Sequence, residues 1–257
     1  MKIVTFNIRS VWCGACDGIN SFVHRAGLVL NTIDEKMPDV ICFQEVVPQI
    51  DAFLKKHMNR EYRYLYHGRN ADLGGEGLVV AYRAEKLELL NMACEWMSPT
   101  PFVPGSRFPE QSECPRILMT YEFRELASKK LFRVYNTHLD HISDSARVLG
   151  IKQTVETMKR DQDRMTMPVF LMGDFNALPD SETIRYTNEN TVFPMVDLTT
   201  AFTGTYHGFG KYSENKIDYI YTDPETAKKE HAAALWDEQV NGIYLSDHYP
   251  VELTIEL

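Results

Sequence analysis

The sequence contains no long hydrophobic run. No stretch of about 18 or more apolar residues occurs among its 257 residues, so a membrane-spanning helix is not expected. Met1 leads almost directly into the strand-like run Lys2-Ile3-Val4-Thr5-Phe6, and no secretion signal is recognisable. A cytoplasmic protein is the default expectation, although a chain whose secretion signal had been removed would look the same.

An excess of positive charge is also absent. The formal net charge is −9, with 27 lysines and arginines against 36 acidic residues. A protein that coats long nucleic acid needs a broad basic face, so the charge argues against that class. An enzyme that acts on phosphate groups in one pocket remains compatible with this charge, because a bound metal ion can supply positive charge locally.

Cysteines are few, and their number is odd. Five cysteines do not form a closed disulfide framework. Cys13 and Cys16 form a C-x-x-C pair, but the second pair that a structural zinc site usually needs is missing. We therefore favour a loop with two thiols or one local disulfide over a redox pair.

No linker or low-complexity segment divides the chain, which predicts one domain over residues 1–257. Helices are predicted at 22–37 and 48–58, and a third begins after a cap at Asp144 or Ser145. Apolar, β-branched runs predict nine strands, at 2–8, 39–45, 62–66, 77–83, 116–123, 131–137, 168–172, 216–222 and 249–257. Many strands with few helices favour two packed sheets with helices outside.

Acids, amides and histidines stand at the ends of several predicted strands, where sites of layered α/β folds are built. Asp174 and Asn176 lie two residues apart and should face the same side of a strand. Singly, each such residue has an ordinary explanation, such as a turn cap, a solvated acid or a core histidine. Together their oxygen atoms suit a hard cation such as Mg²⁺ or Mn²⁺. The residues are Asn7, Glu45, His138, Asp174, Asn176, Asp218, Asp247 and His248.

The same residues lie in motifs that occur in a fixed order along nearly the whole chain. They are TFNIR, FQE, NTHLDH, GDFNALPDSE, KIDYIY and SDHYPV. With them the chain resembles the endonuclease/exonuclease/phosphatase superfamily of metal-dependent phosphoesterases, to which deoxyribonuclease I belongs. The resemblance implies an α/β fold that is a four-layer α/β/β/α sandwich, with two packed mixed β-sheets flanked by helices.

The resemblance also implies a metal site and a water site. Glu45 would be the principal ligand of Mg²⁺ or Mn²⁺, with Asn7 beside it, and Asp247 would bind a second metal ion if one is present. The metal ion would act as a Lewis acid on the phosphoryl group. Asp174 and Asn176 would hold and polarise the attacking water.

Two histidines would complete the implied catalytic set. His248 and Asp218 would form a dyad in which the carboxylate orients the imidazole and favours its cationic form. Whether that dyad donates to the phosphate or moves the proton of the nucleophile stays open. His138 would contact the phosphate, supported by Glu76 in the segment GGEGLVVAYR.

Substrate choice is expected to depend on the loops. Arg116 could clamp a phosphate bidentately or pair with a surface acid. Tyr206, His207 and Phe209 could stack on a base or sugar, or could fill their own loop. Trp96 is expected in the core rather than in the wall of a pocket.

The chain lacks the basic loops with which deoxyribonuclease-like members contact duplex DNA, and it looks closer to a bacterial-type branch of unassigned substrate. The predicted function is metal-dependent hydrolysis of a phosphodiester, preferred over a monoester, in a small phosphate ester rather than duplex DNA. One alternative is a nuclease or 3′-exonuclease acting on single-stranded nucleic acid. The other is an inactive module that binds phosphate-bearing partners. A monomer is the default expectation.

Overall fold

The computed structural model describes residues 1–58 and 61–257, and its centre is a pair of six-stranded β-sheets. The strands of the described residues are β1 (Lys2–Asn7), β2 (Val40–Val46), β3 (Tyr62–Gly68), β4 (Gly77–Arg83), β5 (Leu87–Trp96), β6 (Ile117–Glu125), β7 (Leu131–His138), β8 (Val169–Asp174), β9 (Val196–Asp197), β10 (Asp218–Thr222), β11 (His231–Leu235), β12 (Gln239–Val240), β13 (Ile243–Tyr244) and β14 (Val251–Ile255). The α-helices are α1 (Phe22–Lys36), α2 (Pro48–Met58), α3 (Asp144–Arg164) and α4 (Glu182–Glu189).

Both sheets are mixed. The first has the strand order β11-β14-β1-β2-β4-β3, and the second has the order β5-β6-β7-β8-β10-β9. In each sheet one central pair is parallel, β1 with β2 and β7 with β8, and the other pairs are antiparallel. The carboxyl ends of a parallel pair share one edge of the sheet, and an antiparallel neighbour begins at that edge.

Alternating side chains along the strands build three apolar cores, and these define four layers. Ile3 of β1 and Phe170 of β8 face each other in the core between the sheets. Val4 packs outward against α1 and α2. Leu171 packs outward against α3 and α4. This architecture confirms the predicted four-layer α/β/β/α sandwich of two mixed sheets flanked by helices.

The sequence did not predict strand β5, helix α4 or the short strands β9, β11, β12 and β13. β5 is an edge strand whose central residues are exposed, and a bulge between Leu89 and Asn91 interrupts its alternation. The cap of α3 was also misplaced. Ser143, rather than Asp144 or Ser145, accepts the hydrogen bond from the backbone N–H of Ala146 at 3.2 Å.

Trp96 is buried in the core between the sheets, as expected, and its indole N–H donates to the carbonyl of Arg69 at 2.7 Å. Cys13 and Cys16 are exposed free thiols, so the alternative of a local disulfide is wrong. Across residues 1–58 and 61–257, no helix combines the length and the apolar character needed to cross a membrane.

A buried amide joins the two sheets behind the edge at which the polar residues gather. Asn136 of β7 is fully buried, and its Nδ2 donates across the sheet interface to the carbonyls of Phe43 and Val79, each at 3.2 Å. Those carbonyls flank the point where the register of β2 with β4 shifts. Asn136 Oδ1 accepts from Gln44 Nε2 at 2.8 Å. Asn136 therefore satisfies backbone groups that the irregularity in β2 would leave unpaired.

We expect Asn136→Ala to lower the free energy of unfolding by about 3 kcal/mol or more, because two strand carbonyls and the Gln44 amide lose a partner in a closed core. Urea denaturation followed by circular dichroism measures the change. Asn91→Ala, at an exposed position of β5, is the matched control and should change stability by less than about 0.5 kcal/mol. Equal stability of the two variants would contradict the bridging role.

Candidate active site

The strand ends meet at a cavity of about 400 Å³ between the two sheets. Its wall contains most of the residues that the sequence singled out, whereas Asn7 and Asp218 are buried and contact wall residues from beneath. Five further polar or ionisable residues of the wall had no predicted role. The predicted residues in the wall are Glu45, Glu76, Arg116, His138, Asp174, Asn176, Tyr206, Asp247 and His248; the additional ones are Arg9, Ser10, Arg69, Cys114 and His141.

Asn7 links the acids of the two sheets. Its Nδ2 donates to Glu45 Oε1 at 3.1 Å and to Asp174 Oδ2 at 2.9 Å. Its Oδ1 accepts from the backbone N–H of Arg9 at 3.0 Å, and this contact fixes the orientation of the amide. Asn7 therefore presents a donor, not an oxygen ligand, to the carboxylates. Its expected place beside the metal ion stays a prediction.

The irregularity in β2 aims Glu45 into the cavity. Glu45 has a left-handed backbone with φ of 61°, which costs a non-glycine residue about 1–3 kcal/mol and marks a position held by its surroundings. Its Oε2 accepts from the backbone N–H of Ser10 at 2.9 Å. Burial would raise the pKa of Glu45, but the charge of His248 and the hydrogen bonds from Asn7 and Ser10 outweigh burial and lower it. Glu45 is thus an ionised carboxylate.

Asp174 ends β8 at the floor of the cavity. Gly173 precedes it because a Cβ there would lie 1.9 Å from the carbonyl oxygen of Thr137, so no other residue fits this close approach of β8 to β7. Burial and the neighbouring Asp218 raise the pKa of Asp174 to about 7, although His248 opposes the shift. Asp174 can therefore take up and release a proton near neutral pH.

Asn176 reaches the cavity by a route that the sequence did not predict. The strand ends at Asp174, and Asn176 follows in a left-handed conformation with φ of 48°. The expectation that alternation along a strand places Asp174 and Asn176 on one side is therefore wrong. Instead, the backbone N–H of Asn176 donates to Asp174 Oδ1 at 2.8 Å, and its Nδ2 donates to the carbonyl of Leu139 at 3.1 Å.

His248 and Asp218 form the predicted pair. His248 Nδ1 donates to Asp218 Oδ2 at 2.8 Å, and His248 Nε2 lies 3.9 Å from Asp174 Oδ2. Burial lowers the pKa of His248, but the charge and hydrogen bond of Asp218 outweigh burial and raise it to about 10. The imidazole is therefore cationic. The ring of Tyr206 packs edge-on against it, with the centroids 5.0 Å apart.

Ligand atoms of Asp174, Asp218 and His248 all lie within 4.8 Å of one another, a spacing that could hold a metal ion. A cationic imidazole that donates to Asp218 has no lone pair for a metal ion, however. We therefore interpret this trio as a hydrogen-bonded acid–base group in this protonation state. Glu45 and Asp247, the predicted metal ligands, line the same cavity as this trio.

His138 lies between Asp174 and Glu76. Its Nε2 is 3.5 Å from Asp174 Oδ2, and its Nδ1 is 3.9 Å from Glu76 Oε1. Burial, followed by the charges of Arg116 and Arg69, holds the pKa of His138 well below its usual value, so the ring is neutral. Glu76 forms its ion pair with Arg69 and supports His138 only by proximity.

Asp247 faces the cavity beside an arginine whose role the sequence did not reveal. Arg9 Nε lies 3.6 Å from Asp247 Oδ2 and is held by Asp17, whose two oxygens accept from Nε at 3.1 Å and from Nη2 at 3.2 Å. Burial raises the pKa of Asp247. The position of Arg9 at the end of TFNIR was the one signal that could have identified it.

Four carboxylates gather at the strand ends beside the cavity and suit a divalent ion with oxygen ligands. Asp174, Asp218 and Asp247 are buried, and Glu45 is half-buried in the cavity wall. Such a group of like charges is stable only with cations or hydrogen-bond donors beside it. Two of the four, Glu45 and Asp247, are free of the pairing with His248, and their donor set fits Mg²⁺ or Mn²⁺.

Arg116 is only 3% exposed, so pairing with a surface acid, one of the two predicted alternatives, is wrong. Its Nη2 donates to His141 Nδ1 at 2.9 Å, and its Nε lies 3.9 Å from Oδ2 of the buried Asp140. Asp140 itself accepts from the backbone N–H groups of Ile142 and Ser143. His141 could have been noted as the second histidine of NTHLDH, whereas nothing in the sequence marked Arg69.

The aromatic loop divides between cavity and core. Tyr206 lines the cavity, as one of the alternatives predicted. His207 is buried and stacks on Tyr249, with centroids 4.1 Å apart. Phe209 is buried against Arg25, whose guanidinium carbon is 5.9 Å from the ring centre. His207 and Phe209 therefore fill the loop, which is the second of the two predicted alternatives, and their listing as ligand-binding residues is wrong.

Comparison with known proteins places this geometry in a family. The model of the endonuclease/exonuclease/phosphatase family matches residues 4–248. A solved structure of a conserved protein of unknown function from Enterococcus faecalis is 29% identical, covers 100% of this chain and 99% of its own, and has a TM-score of 0.87. An uncharacterised protein of Acanthamoeba polyphaga mimivirus is 25% identical, with 100% of both chains covered.

Two more distant structures share the fold. A mannosyl-6-phosphatase of Bacteroides thetaiotaomicron is 22% identical, with 100% of both chains covered and a TM-score of 0.85. The TDP2 protein of D. rerio, in complex with a single-stranded DNA product, is 17% identical, covers 100% of this chain and 99% of its own, and has a TM-score of 0.77. The family match extends over nearly the whole chain, and this protein belongs to the endonuclease/exonuclease/phosphatase family.

Proposed function

We propose that the protein is a phosphoesterase that depends on a divalent metal ion and hydrolyses a phosphodiester bond through in-line attack of a water molecule. The observation that carries the proposal is the contact between a buried carboxylate that titrates near neutral pH, Asp174, and a buried cationic imidazole, His248. A base that can accept a proton from the water, Asp174, then lies beside a positive charge that can bind the phosphate, His248.

Asp174 acts as the base. A pKa of about 7 suits proton transfer at neutral pH. One carboxylate oxygen is held by the backbone N–H of Asn176, and the other is held by Asn7, so the group cannot turn away. The amide nitrogen of Asn176 is bound to Leu139, and its Oδ1 is therefore the atom that can accept a hydrogen bond from the water. Together these contacts orient the water before the reaction.

His248 stabilises the charge that develops on the phosphoryl oxygens. Asp218 holds the imidazole through Nδ1, which leaves Nε2–H as the donor that faces Asp174 and the cavity. His138 is neutral and lies on the other side of Asp174, so it can donate a hydrogen bond without adding charge. The departing alkoxide needs a proton or a positive charge, and these two imidazoles can provide a donor.

Mg²⁺ or Mn²⁺ would be held by Glu45 and Asp247, and when bound it would supply Lewis-acid stabilisation of the phosphate charge. Asn7 would orient Glu45 rather than bind the ion. The acidic surroundings favour a diester, with one negative charge, over a monoester dianion. The solved relatives include a mannosyl-6-phosphatase and a protein bound to a single-stranded DNA product, so sugar phosphates and single-stranded ends belong in a substrate screen.

We expect Asp174→Asn to lower kcat for bis(p-nitrophenyl) phosphate by about 10²–10⁴-fold, because the asparagine keeps the shape of the base but cannot accept the proton. Release of p-nitrophenol with Mg²⁺ or Mn²⁺ present measures the effect. Asp163→Asn, on an exposed turn of α3, is the control and should leave kcat unchanged. Undiminished kcat in a folded Asp174→Asn protein would rule out Asp174 as the base. A wild-type protein that turns over no phosphate ester would favour a phosphate-binding module instead.

Metal binding should be visible without turnover. Mn²⁺ at about 100 times its dissociation constant should stabilise the fold by about 2.7 kcal/mol, because only the folded chain assembles the site. The rise of Tm measures this effect in differential scanning calorimetry. Glu45→Gln should abolish most of the rise, whereas Glu88→Gln, at a half-exposed position of β5, should keep it. An equal rise of Tm in both variants would place the ion elsewhere.

A further inference from the structure

The cavity has a second wall of opposite charge. Beyond His138 lie Arg69, Arg116 and His141, which we call the basic wall. Its one acid in the cavity lining, Glu76, is already paired with Arg69. The acids that surround His248 lie on the other side of His138, so the basic wall adjoins the catalytic groups without being part of them.

Arg116 is the least satisfied charge in the basic wall. Its guanidinium is buried, and its Nε and Nη1 have no hydrogen-bond partner among residues 1–58 and 61–257. A buried cation with two unpaired N–H donors is costly to the fold, and such a cost is commonly offset by an anionic ligand. Asp140 offsets it only weakly, at 3.9 Å and with oxygens already engaged by Ser112, Ile142 and Ser143.

The neighbouring groups are arranged as donors. An arginine has no acceptor, so His141 Nδ1 must accept from Arg116 Nη2, and the ring proton must then lie on Nε2. A recess of about 10 Å³ opens between Arg69, Arg116 and His138, which is room for a single oxygen-sized group. Glu76 also lines this recess, but it is paired with Arg69. One phosphate oxygen could enter the recess beside the two guanidinium groups, while the other oxygens stay in the main cavity, which His141 also lines.

We propose that Arg116, Arg69 and His141 form a second anion subsite that binds a phosphate group of the substrate other than the one being hydrolysed. The part of this statement that concerns hydrolysis rests on the proposed function. The substrate class implied by this subsite is a phosphodiester with a further phosphate one nucleotide or less from the scissile bond, such as a short oligonucleotide with a phosphorylated end. A simple diester has no second phosphate and would therefore leave the basic wall unoccupied.

Binding to the basic wall can be tested without catalysis. In the presence of a chelator the carboxylates of Asp174, Asp218, Asp247 and Glu45 have no metal ion to offset their charge, so inorganic phosphate should bind only at the basic wall. Isothermal titration calorimetry of the wild-type protein with phosphate should show one site. Arg116→Gln and Arg69→Gln should each weaken it about tenfold or more, because each removes a charged hydrogen bond to the phosphate. Arg124→Gln, a half-exposed arginine at the far end of β6, should not weaken it. No binding by the wild type, or equal binding by all variants, overturns the proposal.

The thermal stability of Arg116→Gln separates binding from structure. If Arg116 serves a ligand, removal of its unsatisfied charge leaves Tm equal to or above that of the wild type. If it only supports the fold, Tm falls, and a fall in Tm together with unchanged phosphate binding by Arg69→Gln overturns the proposal.

Turnover supplies the second half of the test. The dinucleotide TpT is compared with the forms that carry a terminal phosphate at the 5′ end or at the 3′ end. The wild type should show a KM about tenfold lower for one phosphorylated form, and Arg116→Gln should lose this preference. No preference in the wild type, or an equal rise of KM for all three substrates in Arg116→Gln, overturns the subsite. A wild type that hydrolyses none of them but binds phosphate at the basic wall would instead contradict the proposed hydrolysis.

Discussion

Side-chain amides that cross between the two sheets hold the candidate site together. Asn7 joins Glu45 of the first sheet to Asp174 of the second, and Asn136 closes the same seam behind them by capping the irregular part of β2. Each amide supplies two donors to groups that would otherwise be unpaired or mutually repelling. The distance between the metal side and the proposed base therefore depends on how the sheets pack, which links the chemistry to the central core.

Acidic groups and basic groups line different walls of the cavity. Burial drives several acids toward neutrality, whereas His248 and Arg9 keep enough positive charge nearby for Glu45 to stay ionised. In the second wall, two N–H groups of Arg116 have no hydrogen-bond partner among the described residues. A substrate that spans both walls would place one phosphate beside the acids and their metal ion and another beside Arg116. A net charge of −9 is thus compatible with a cavity wall that carries local positive charge.

The sequence predicted the layers and most of the site, because apolar runs that end in polar residues mark strand ends, and strand ends of parallel pairs meet at one edge. Asp174 and His248 were found in this way. The sequence could not predict the left-handed turn that places Asn176, because contacts with Leu139 and Asp174 impose that conformation. Arg69 follows a strand with no distinguishing pattern, and its role depends on tertiary contacts alone. The sequence left open whether His207 stacks on a ligand or fills its loop, because composition does not reveal which way a loop faces.

Attack of water on phosphorus is the central claim, and isotope transfer tests it most directly. Hydrolysis of bis(p-nitrophenyl) phosphate in ¹⁸O-labelled water, with Mg²⁺ or Mn²⁺ present, should place a single ¹⁸O atom in the p-nitrophenyl phosphate product and none in the p-nitrophenol, as mass spectrometry would show. Label in the p-nitrophenol would mean attack at carbon. Turnover of the same compound that persists after chelation of all divalent ions would contradict the account equally.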